Sequence, residues 1–541
     1  MRQILLLLIV SLLISNCNKI ETTTHEFYIN SETGNDNNDG TSPDKAWKSL
    51  EHASTKIYVA GDKLMLAKGS VFSGKLHLKG GGSEAEPVTV SPYDAKNGKS
   101  ALPKINAQGY LAAVQITDGK NFIISDLELT SDAGVVYEDD AKTKRYGVFV
   151  ESTIPGSYSN IQLKNLNIHH IFSTENVPGG GQNPTSNMGM GISIVIKNGG
   201  GKIKNILIED CKIEMTGHTG IKISGTGSGM NINYIDSVII RNNSLKNIGG
   251  PGMVPGRCNN VLVQGNVIDH SGSAADPRMH NRGSGIWPWT CNNVLIEKNK
   301  FMHARGKNDS CGAHIDFNCN NVVVQYNLSV DNAGGFVEIL GNDNNCCYRY
   351  NISINDGFRI KGENKAQKDG HVLWTSGYTG NGNKRKGPFN SYIYNNTIYA
   401  SAEIISKFSF STTTEGVLIA NNIFYILGET EDVSKKSAKI NSTILNTVFK
   451  NNLYQRADIL PESLEITDTA PVIGDPQFAN AGGLNPEDYI PSNTSVVKNK
   501  GITIEKIPGD NIGLKIGLNV ETDFFGNPIS GLPDFGAVEM N

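Results

Sequence analysis

Residues 269 to 361 of this 541-residue chain hold a dense set of side chains that can move protons. Four of the 11 histidines, at positions 270, 280, 303 and 314, fall in the first half of that segment. Imidazole is the side chain whose proton equilibrium lies nearest neutral pH, and a neighbouring carboxylate or guanidinium group can orient it or stabilise developing charge. The candidate catalytic residues are His280, His303, His314, Asp316, Glu338 and Arg359.

The same segment carries flat aromatic faces and fixed positive charges, which suit ligand binding. Tryptophan offers an apolar face to a sugar ring, and arginine grips carboxylate or sulfate groups through two parallel hydrogen bonds. The candidate binding residues are Trp287, Trp289, Arg278, Arg282 and Lys361. This combination predicts an acidic polysaccharide or oligosaccharide, uronate-containing or sulfated, as the partner.

A repeated phrase must position these residues. It reads Asn-Asn, three apolar-leaning residues, two polar residues and Asn, and it ends at Asn266, Asn299 and Asn327, with a looser copy at Asn351. The intervals of 33, 28 and 24 residues are typical of a solenoid. Each unit holds short β-branched runs between Gly or Asn turns and no helical period, which favours a parallel β-helix over a β-sandwich. The fold class is therefore all-β.

Stacked coils turn equivalent positions into columns about 4.8 Å apart. We align the strand after each phrase on its leading glycine, and alternate residues then share a face. One predicted outward column holds Trp287, His314, Phe336 and Arg359, and the column beside it holds Trp289, Asp316, Glu338 and Lys361. The alignment predicts a single outer surface of aromatics, imidazole, carboxylates and cations.

Both ends of the mature chain resemble right-handed parallel β-helix, pectate-lyase-like carbohydrate-active proteins of Bacteroidota polysaccharide-utilisation systems. The resemblance lies in 27–50 and 60–64 at the start and in Asp475-Pro476-Gln477-Phe478 and 534–539 at the end. It implies the architecture, whereas the superfamily includes polysaccharide lyases, glycoside hydrolases and epimerases, so the fold does not give the reaction.

Three chemistries fit the predicted surface, and β-elimination on a uronic acid is the first. It removes the C5 proton beside the carboxylate and expels the C4 oxygen, so it needs cations, a base and an acid. Arg359, Lys361 and Arg282 could neutralise the carboxylate, while His314 or His280 could act as the base. The product is a 4,5-unsaturated uronate, formed by a lyase or by a dehydratase at a terminal uronate.

The second chemistry is glycoside hydrolysis by Asp316 and Glu338. If the alignment holds, these carboxylates lie on adjacent coils about 5 Å apart, close to the separation in retaining glycosidases. Adjacent carboxylates could also hold Ca²⁺, although no metal ligand is assigned. The third alternative is a non-catalytic glycan-binding lipoprotein, which would need the aromatics and cations but not the histidines.

The first residues are typical of an export signal. A short apolar run from Ile4 to Ile14 follows Met1-Arg2, and Leu13-Ile14-Ser15-Asn16-Cys17 resembles a bacterial lipobox with Cys17 as the lipidated residue. The expected organisation is a signal peptide at 1–16, a tether at 17–25, a β-helix at 26–470 and a C-terminal cap segment at 471–541. A short capping helix is expected between Trp47 and Tyr58. The expected location is the periplasm or the outer membrane.

Composition excludes several other classes. The net charge of -4 and pI of 6.3 disfavour nucleic acid as a partner, and contact with a membrane is expected only through the lipid anchor. The seven remaining cysteines are an odd number with no paired CxxC spacing, so buried thiols are expected rather than disulfides or a zinc site. A monomer is expected.

Overall fold

The computed structural model describes residues 25–95, 98–178, 185–358, 368–434 and 445–540. Within these ranges the chain winds into coils whose strands form three parallel sheets, as the repeat predicted. Each coil passes from the third sheet to the first and then to the second, so sequential strands belong to different sheets while equivalent strands hydrogen-bond. The predicted Cys17 anchor and the signal peptide lie outside the described residues.

The first and second sheets each contain 14 strands. The strands of the first sheet are Glu26–Ile29, Lys63–Ala67, Val88–Tyr93, Phe122–Ser125, Ser157–Lys164, Lys202–Glu209, Ile235–Arg241, Cys258–Gln264, Asn292–Glu297, Asn320–Gln325, Cys347–Arg349, Phe389–Tyr394, Glu415–Ala420 and Leu445–Lys450. The strands of the second sheet are Val71–Ser73, Lys104–Asn106, Glu128–Ser131, Asn167–Ile171, Lys212–Thr216, Ser244–Ile248, Val267–Ser271, Lys300–Met302, Leu328–Val330, Ile352–Ile354, Thr397–Ala400, Ile423–Ile426, Leu453–Tyr454 and Val472–Ile473.

The third sheet is interrupted near its middle, and this interruption is where the candidate site lies. Isolated parallel bridges at Ile286, Ala313 and Ile315 link its two parts. The strands before the interruption are Ile57–Tyr58, Leu76–Gly80, Ala112–Thr117, Lys144–Ser152, Met188–Ile196, Ile221–Ser224 and Met253–Gly256, and those after it are Val337–Ile339, His371–Thr375, Ser406–Ser409 and Thr430–Asp432. A separate antiparallel pair joins Val177–Pro178 to Thr185–Ser186.

A buried asparagine ladder fixes the register of consecutive coils. The final Asn of each repeated phrase donates its side-chain amide to the Oδ1 of its equivalent on the next coil, from Asn266 to Asn299 at 2.9 Å and from Asn299 to Asn327 at 3.0 Å. The backbone N–H of Asn299 also donates to Asn327, at 2.9 Å. The residue before each ladder position takes a left-handed φ, such as +57° at Lys298. The phrase is thus a structural signature of one corner of the coil.

A helix covers the first coils, and the C-terminal segment packs along the side of the coil. The helix Leu50–Thr55, capped by the Ser49 hydroxyl, packs Leu50 and Ala53 into the core near the first coils. The C-terminal segment returns along the outside of the first sheet, where the Tyr326 hydroxyl donates to the Thr522 carbonyl at 2.9 Å. Its other short elements are the helix Thr494–Val497 and the 3₁₀ turns Glu462–Leu464 and Pro486–Tyr489. Further 3₁₀ turns are Pro43–Lys45, Asp139–Lys142 and Gly229–Asn231.

The coil interior is apolar, and the seven cysteines at 211, 258, 291, 311, 319, 346 and 347 are buried and unpaired. Within the described ranges, no helix has the length and apolar character needed to cross a membrane.

Loss of one ladder rung is expected to destabilise the protein measurably. Replacing Asn299 by Ala strands buried donors and acceptors on both neighbouring coils, which should lower the free energy of unfolding by about 1–3 kcal/mol in urea titrations. Asn292→Ala is the matched control, because Asn292 is half-buried and its amide bonds only to the Asn259 side chain. Equal decreases in the free energy of unfolding of the two variants would contradict a larger contribution from the ladder than from an ordinary surface asparagine pair.

Candidate active site

A pocket of about 480 Å³ opens on the outer face of the third sheet, at its interruption. Its floor is formed by side chains of successive coils, and its walls come from the loops that lead into and out of that sheet. The lining residues are Arg282, Trp287, Asp309, His314, Asp316, Phe317, Glu338, Leu340, Lys368, Trp374, Ser376, Tyr378, Asn381 and Arg385.

The floor is a column of outward side chains that differs in register from the predicted one. Ile286 pairs with Ala313, Ile315 with Ile339, and Glu338 with Trp374. The column therefore reads Trp287, His314, Glu338 and Trp374. The prediction that Phe336 follows His314 in this column is wrong, because Phe336 is buried in the coil core against Tyr348.

Asp316 consequently lies diagonally from Glu338 rather than beside it. Its N–H donates to the Pro288 carbonyl on the previous coil, and Leu340, two residues after Glu338, occupies the equivalent place on the next coil. One strand spacing combined with two residues of rise separates the two backbones by about 8 Å. The predicted 5 Å separation is wrong for this reason, and a retaining outcome does not follow from it.

Asp316 is the most perturbed carboxyl of the pocket. Its residue is 6% exposed, and burial raises its pKa to about 7, with smaller contributions in the same direction from Asp309 and Glu338. His314 and the Phe317 N–H, which donates to Asp316 Oδ1 at 2.8 Å, act in the opposite direction and only partly offset burial. Asp316 can therefore hold a proton near neutral pH, which suits acid–base chemistry.

Asp309 is a third carboxylate of this pocket, and the sequence interpretation missed it. It lies in the loop between the strand Lys300–Met302 and the bridge at Ala313, seven residues before Asp316 in the chain. Its Oδ2 accepts from Arg282 Nη2 at 3.1 Å. Arg282, predicted to bind an acidic substrate, is thus engaged with a carboxylate of the protein itself.

Glu338 and His314 are held from below by small buried residues. The Cys311 thiol lies 3.2 Å from Glu338 Oε2, and burial raises the pKa of that thiol well above its ordinary value, so it donates rather than ionises. His314 Nδ1 lies 3.0 Å from the Ser284 hydroxyl, and its ring packs 5.5 Å from the Trp287 ring. These contacts fix the orientation of both side chains.

Aromatic rings line the rest of the pocket. Trp374 stands beside Glu338, and the Lys368 ammonium lies 3.1 Å from the centre of its ring. Phe317 contacts Tyr378 edge-on at 5.6 Å, and Trp289 on the preceding coil lies 6.1 Å from Phe317. Gly256 leaves room for Trp289, because a Cβ there would lie 2.2 Å from the indole nitrogen. Such walls suit the apolar faces of sugar rings.

The structure separates several predicted site residues from this pocket. His280 stacks on His218 at 4.4 Å, and burial lowers its pKa to about 4. Arg278 forms an ion pair with Asp276 in its own loop and another with Asp132, which anchors that loop to an earlier coil. His303 bonds to Asp269 on the second sheet. Arg359 and Lys361 lie outside the described residues.

The pocket residues that sequence reasoning missed come mainly from loops. Trp374 had a strand signal, since it follows the apolar residues Val372 and Leu373 in the strand His371–Thr375. Tyr378 and Asn381 carried no signal beyond their place in a long insertion between strands.

The fold and the pocket together define a parallel β-helix with three carboxylates facing one aromatic-lined cavity. No family model matches the chain. A lacto-N-biosidase from Bifidobacterium longum subsp. longum is 26% identical over 623 aligned positions that include 95% of this chain. The chain spans only 36% of the length of that relative. An alpha-1,3-galactosidase A from Akkermansia muciniphila is 41% identical over 66 residues, 12% of this chain and 11% of that protein.

Solved structures share the fold. The GH136 lacto-N-biosidase from Eubacterium ramulus matches with a TM-score of 0.55 and 23% identity, covering 75% of this chain and 68% of that one. The complex of XylC with xylose matches with a TM-score of 0.52 and 12% identity, covering 95% and 98% of the two chains.

The prediction of β-elimination on a uronic acid is wrong. The curated relative aligned with almost the whole chain is a lacto-N-biosidase, which supports the hydrolase alternative. The expected acidic substrate is wrong with it. A physical reason lies in the arginines, because Arg278 and Arg282 are already paired with aspartates of the protein.

The raised pKa of Asp316 makes a signed prediction about stability. An unfolded Asp titrates near 4, so between about pH 4 and 7 the folded protein binds one proton more than the unfolded chain, and stability falls as pH rises. Asp316→Asn removes this dependence. As pH rises across that window, we expect the free energy of unfolding of the variant to increase relative to that of the wild type by about 1.4 kcal/mol per pH unit, and by about 4 kcal/mol in total. Urea unfolding at each pH measures this difference.

Asp458→Asn is the control for this measurement, because the Asp458 side chain is 74% exposed and pairs only with Arg456 in solvent. A constant difference between Asp316→Asn and wild type from pH 4 to 8 would contradict the assignment of a raised pKa.

Proposed function

We propose that this protein is a glycoside hydrolase that acts on neutral oligosaccharides and releases lacto-N-biose from them. The observation that carries the reaction type is the buried Asp316, with its raised pKa, facing further carboxylates in a sugar-sized pocket. The substrate class rests on the lacto-N-biosidase aligned with 95% of the chain.

Hydrolysis needs two carboxyl groups with different tasks. One protonates the departing glycosidic oxygen, and the other attacks the anomeric carbon or activates water. We assign these tasks to Asp316 and Asp309. Their environments differ as such a division requires: Asp316 is buried and has a raised pKa, whereas Asp309 is paired with Arg282.

Glu338 is the remaining carboxylate, and its contacts favour a supporting task. Cys311 donates to one of its oxygens, and it lies between His314 and Trp374 in the floor column. A carboxylate held in this way can accept hydrogen bonds from sugar hydroxyls and keep a substrate ring in place.

The test uses p-nitrophenyl β-lacto-N-bioside and lacto-N-tetraose with the full chain and three matched variants. Asp309→Asn and Asp316→Asn should each lower kcat at least 1,000-fold, and Glu338→Gln should retain measurably more activity. Sodium azide should restore turnover of Asp309→Ala or Asp316→Ala, and the anomer of the glycosyl azide product identifies which residue acts as nucleophile and which as acid.

If the wild-type protein is folded but releases no sugar from either substrate, the substrate assignment is overturned. Full activity in both aspartate variants would overturn the mechanism even if the substrate is hydrolysed. Screening of other aryl β-glycosides then distinguishes a different glycosidase from a protein that only binds glycans.

Trp374 is expected to contribute binding rather than chemistry. Its ring stands beside Glu338 with one face covered by Lys368, so it can form a wall for a sugar ring. Trp374→Ala should raise KM about tenfold, equivalent to about 1.4 kcal/mol, with kcat changed by less than about threefold. Trp374→Phe is the control that keeps an aromatic face, and an equal loss of kcat in both variants would contradict a binding role.

A further inference from the structure

A second cluster of titratable side chains lies away from the pocket, on the outer face of the second sheet. It consists of Asp269 and His270, at the end of the strand Val267–Ser271, and His303, directly after the next strand, Lys300–Met302. The hydrolase mechanism uses none of them. We define these three residues as the Asp-His-His cluster.

The donor atoms of the cluster converge on one point. His270 Nδ1 and His303 Nδ1 each lie 2.7 Å from the same oxygen, Oδ1 of Asp269. The two imidazole rings are 4.9 Å apart, and all three donor atoms lie within 4.8 Å of one another. The side chains are between 22% and 41% exposed, so an ion can enter from solvent and keep a water ligand.

The backbone of these two histidines follows the left-handed pattern of their row. His270 and His303 have φ of +60° and +55°, and they stack in one row of left-handed residues at the corner of the coil. The same row contains His170 and Met215 on earlier coils, and Asn247, Asp331 and Asn355 on the coils beside the pair. The row therefore accepts several residue types, and its backbone does not by itself require histidine at either position.

We propose that the Asp-His-His cluster binds one divalent transition-metal ion of the zinc class. Two imidazole nitrogens and a carboxylate oxygen form a donor set that suits Zn²⁺, Ni²⁺ or Cu²⁺ and disfavours Ca²⁺, which prefers oxygen. Donors about 3.3 Å apart would surround a tetrahedral Zn²⁺, so side-chain shifts well under 1 Å convert the hydrogen bonds into coordination bonds.

The ion would join two consecutive coils at the start of the loop that carries Asp309. His303 begins the segment that runs to Asp309 and Cys311, whereas Asp269 and His270 belong to the preceding coil. Binding would therefore restrain the beginning of a loop that lines the pocket. The proposal does not depend on the hydrolase assignment.

Isothermal titration of the EDTA-treated full chain with ZnCl₂ tests the site. The wild type should bind one ion, and His270→Asn and His303→Asn should each weaken binding at least tenfold. Asparagine is the matched replacement because it keeps the left-handed backbone that Asn247 and Asn355 adopt in the same row. The control is His169→Asn with His170→Asn, which removes the other histidine pair on this sheet and should leave affinity unchanged.

Substitution of Co²⁺ for Zn²⁺ distinguishes this cluster from Cys311, His314 and Glu338, whose donor atoms also lie within 4.8 Å of one another. A visible d–d spectrum without a thiolate charge-transfer band near 300–350 nm, lost in His303→Asn, supports the proposal. A strong thiolate band, no stoichiometric binding, or binding that persists in both asparagine variants overturns it.

Discussion

The asparagine ladder is the interaction on which the rest of the molecule depends. A solenoid coil makes few contacts beyond its two neighbours, so its register must be fixed locally. Here the amide of one Asn bonds to the Oδ1 of the next, at Asn266, Asn299, Asn327 and Asn351, inside the corner between the first and second sheets. Because a slip of one residue would turn every side chain to the opposite face, the ladder also sets which side chains line the pocket.

The pocket combines regular and irregular parts of the coil. The third sheet supplies a column with strand spacing, in which His314 and Glu338 are neighbours, while variable loops add Asp309, Lys368 and Tyr378 around it. The floor belongs to the repeating strands of the coil, whereas the walls belong to loops between those strands. Burial then gives Asp316 a proton that an exposed aspartate would lose.

Much of the fold could be predicted from sequence, because the final Asn of each repeated phrase is a residue of the ladder. The positions of Trp287, His314 and Asp316 on one outer face also followed from strand alternation. The register at Glu338 did not follow, since the loop between the second and third sheets changes length from coil to coil and Phe336 turns into the core. Asp309 could not be found either, because its loop is placed by tertiary contacts.

The returning C-terminal segment changes how a solenoid of this kind can come apart. Linear arrays ordinarily fray from their ends, one repeat at a time. In this chain Lys515 reaches back to Asn293, 222 residues earlier, and Arg349 holds the carbonyls of Gly517 and Leu518. The final coils therefore cannot separate while these contacts hold, so the coils that carry the carboxylates are expected to unfold together with the chain's last residues.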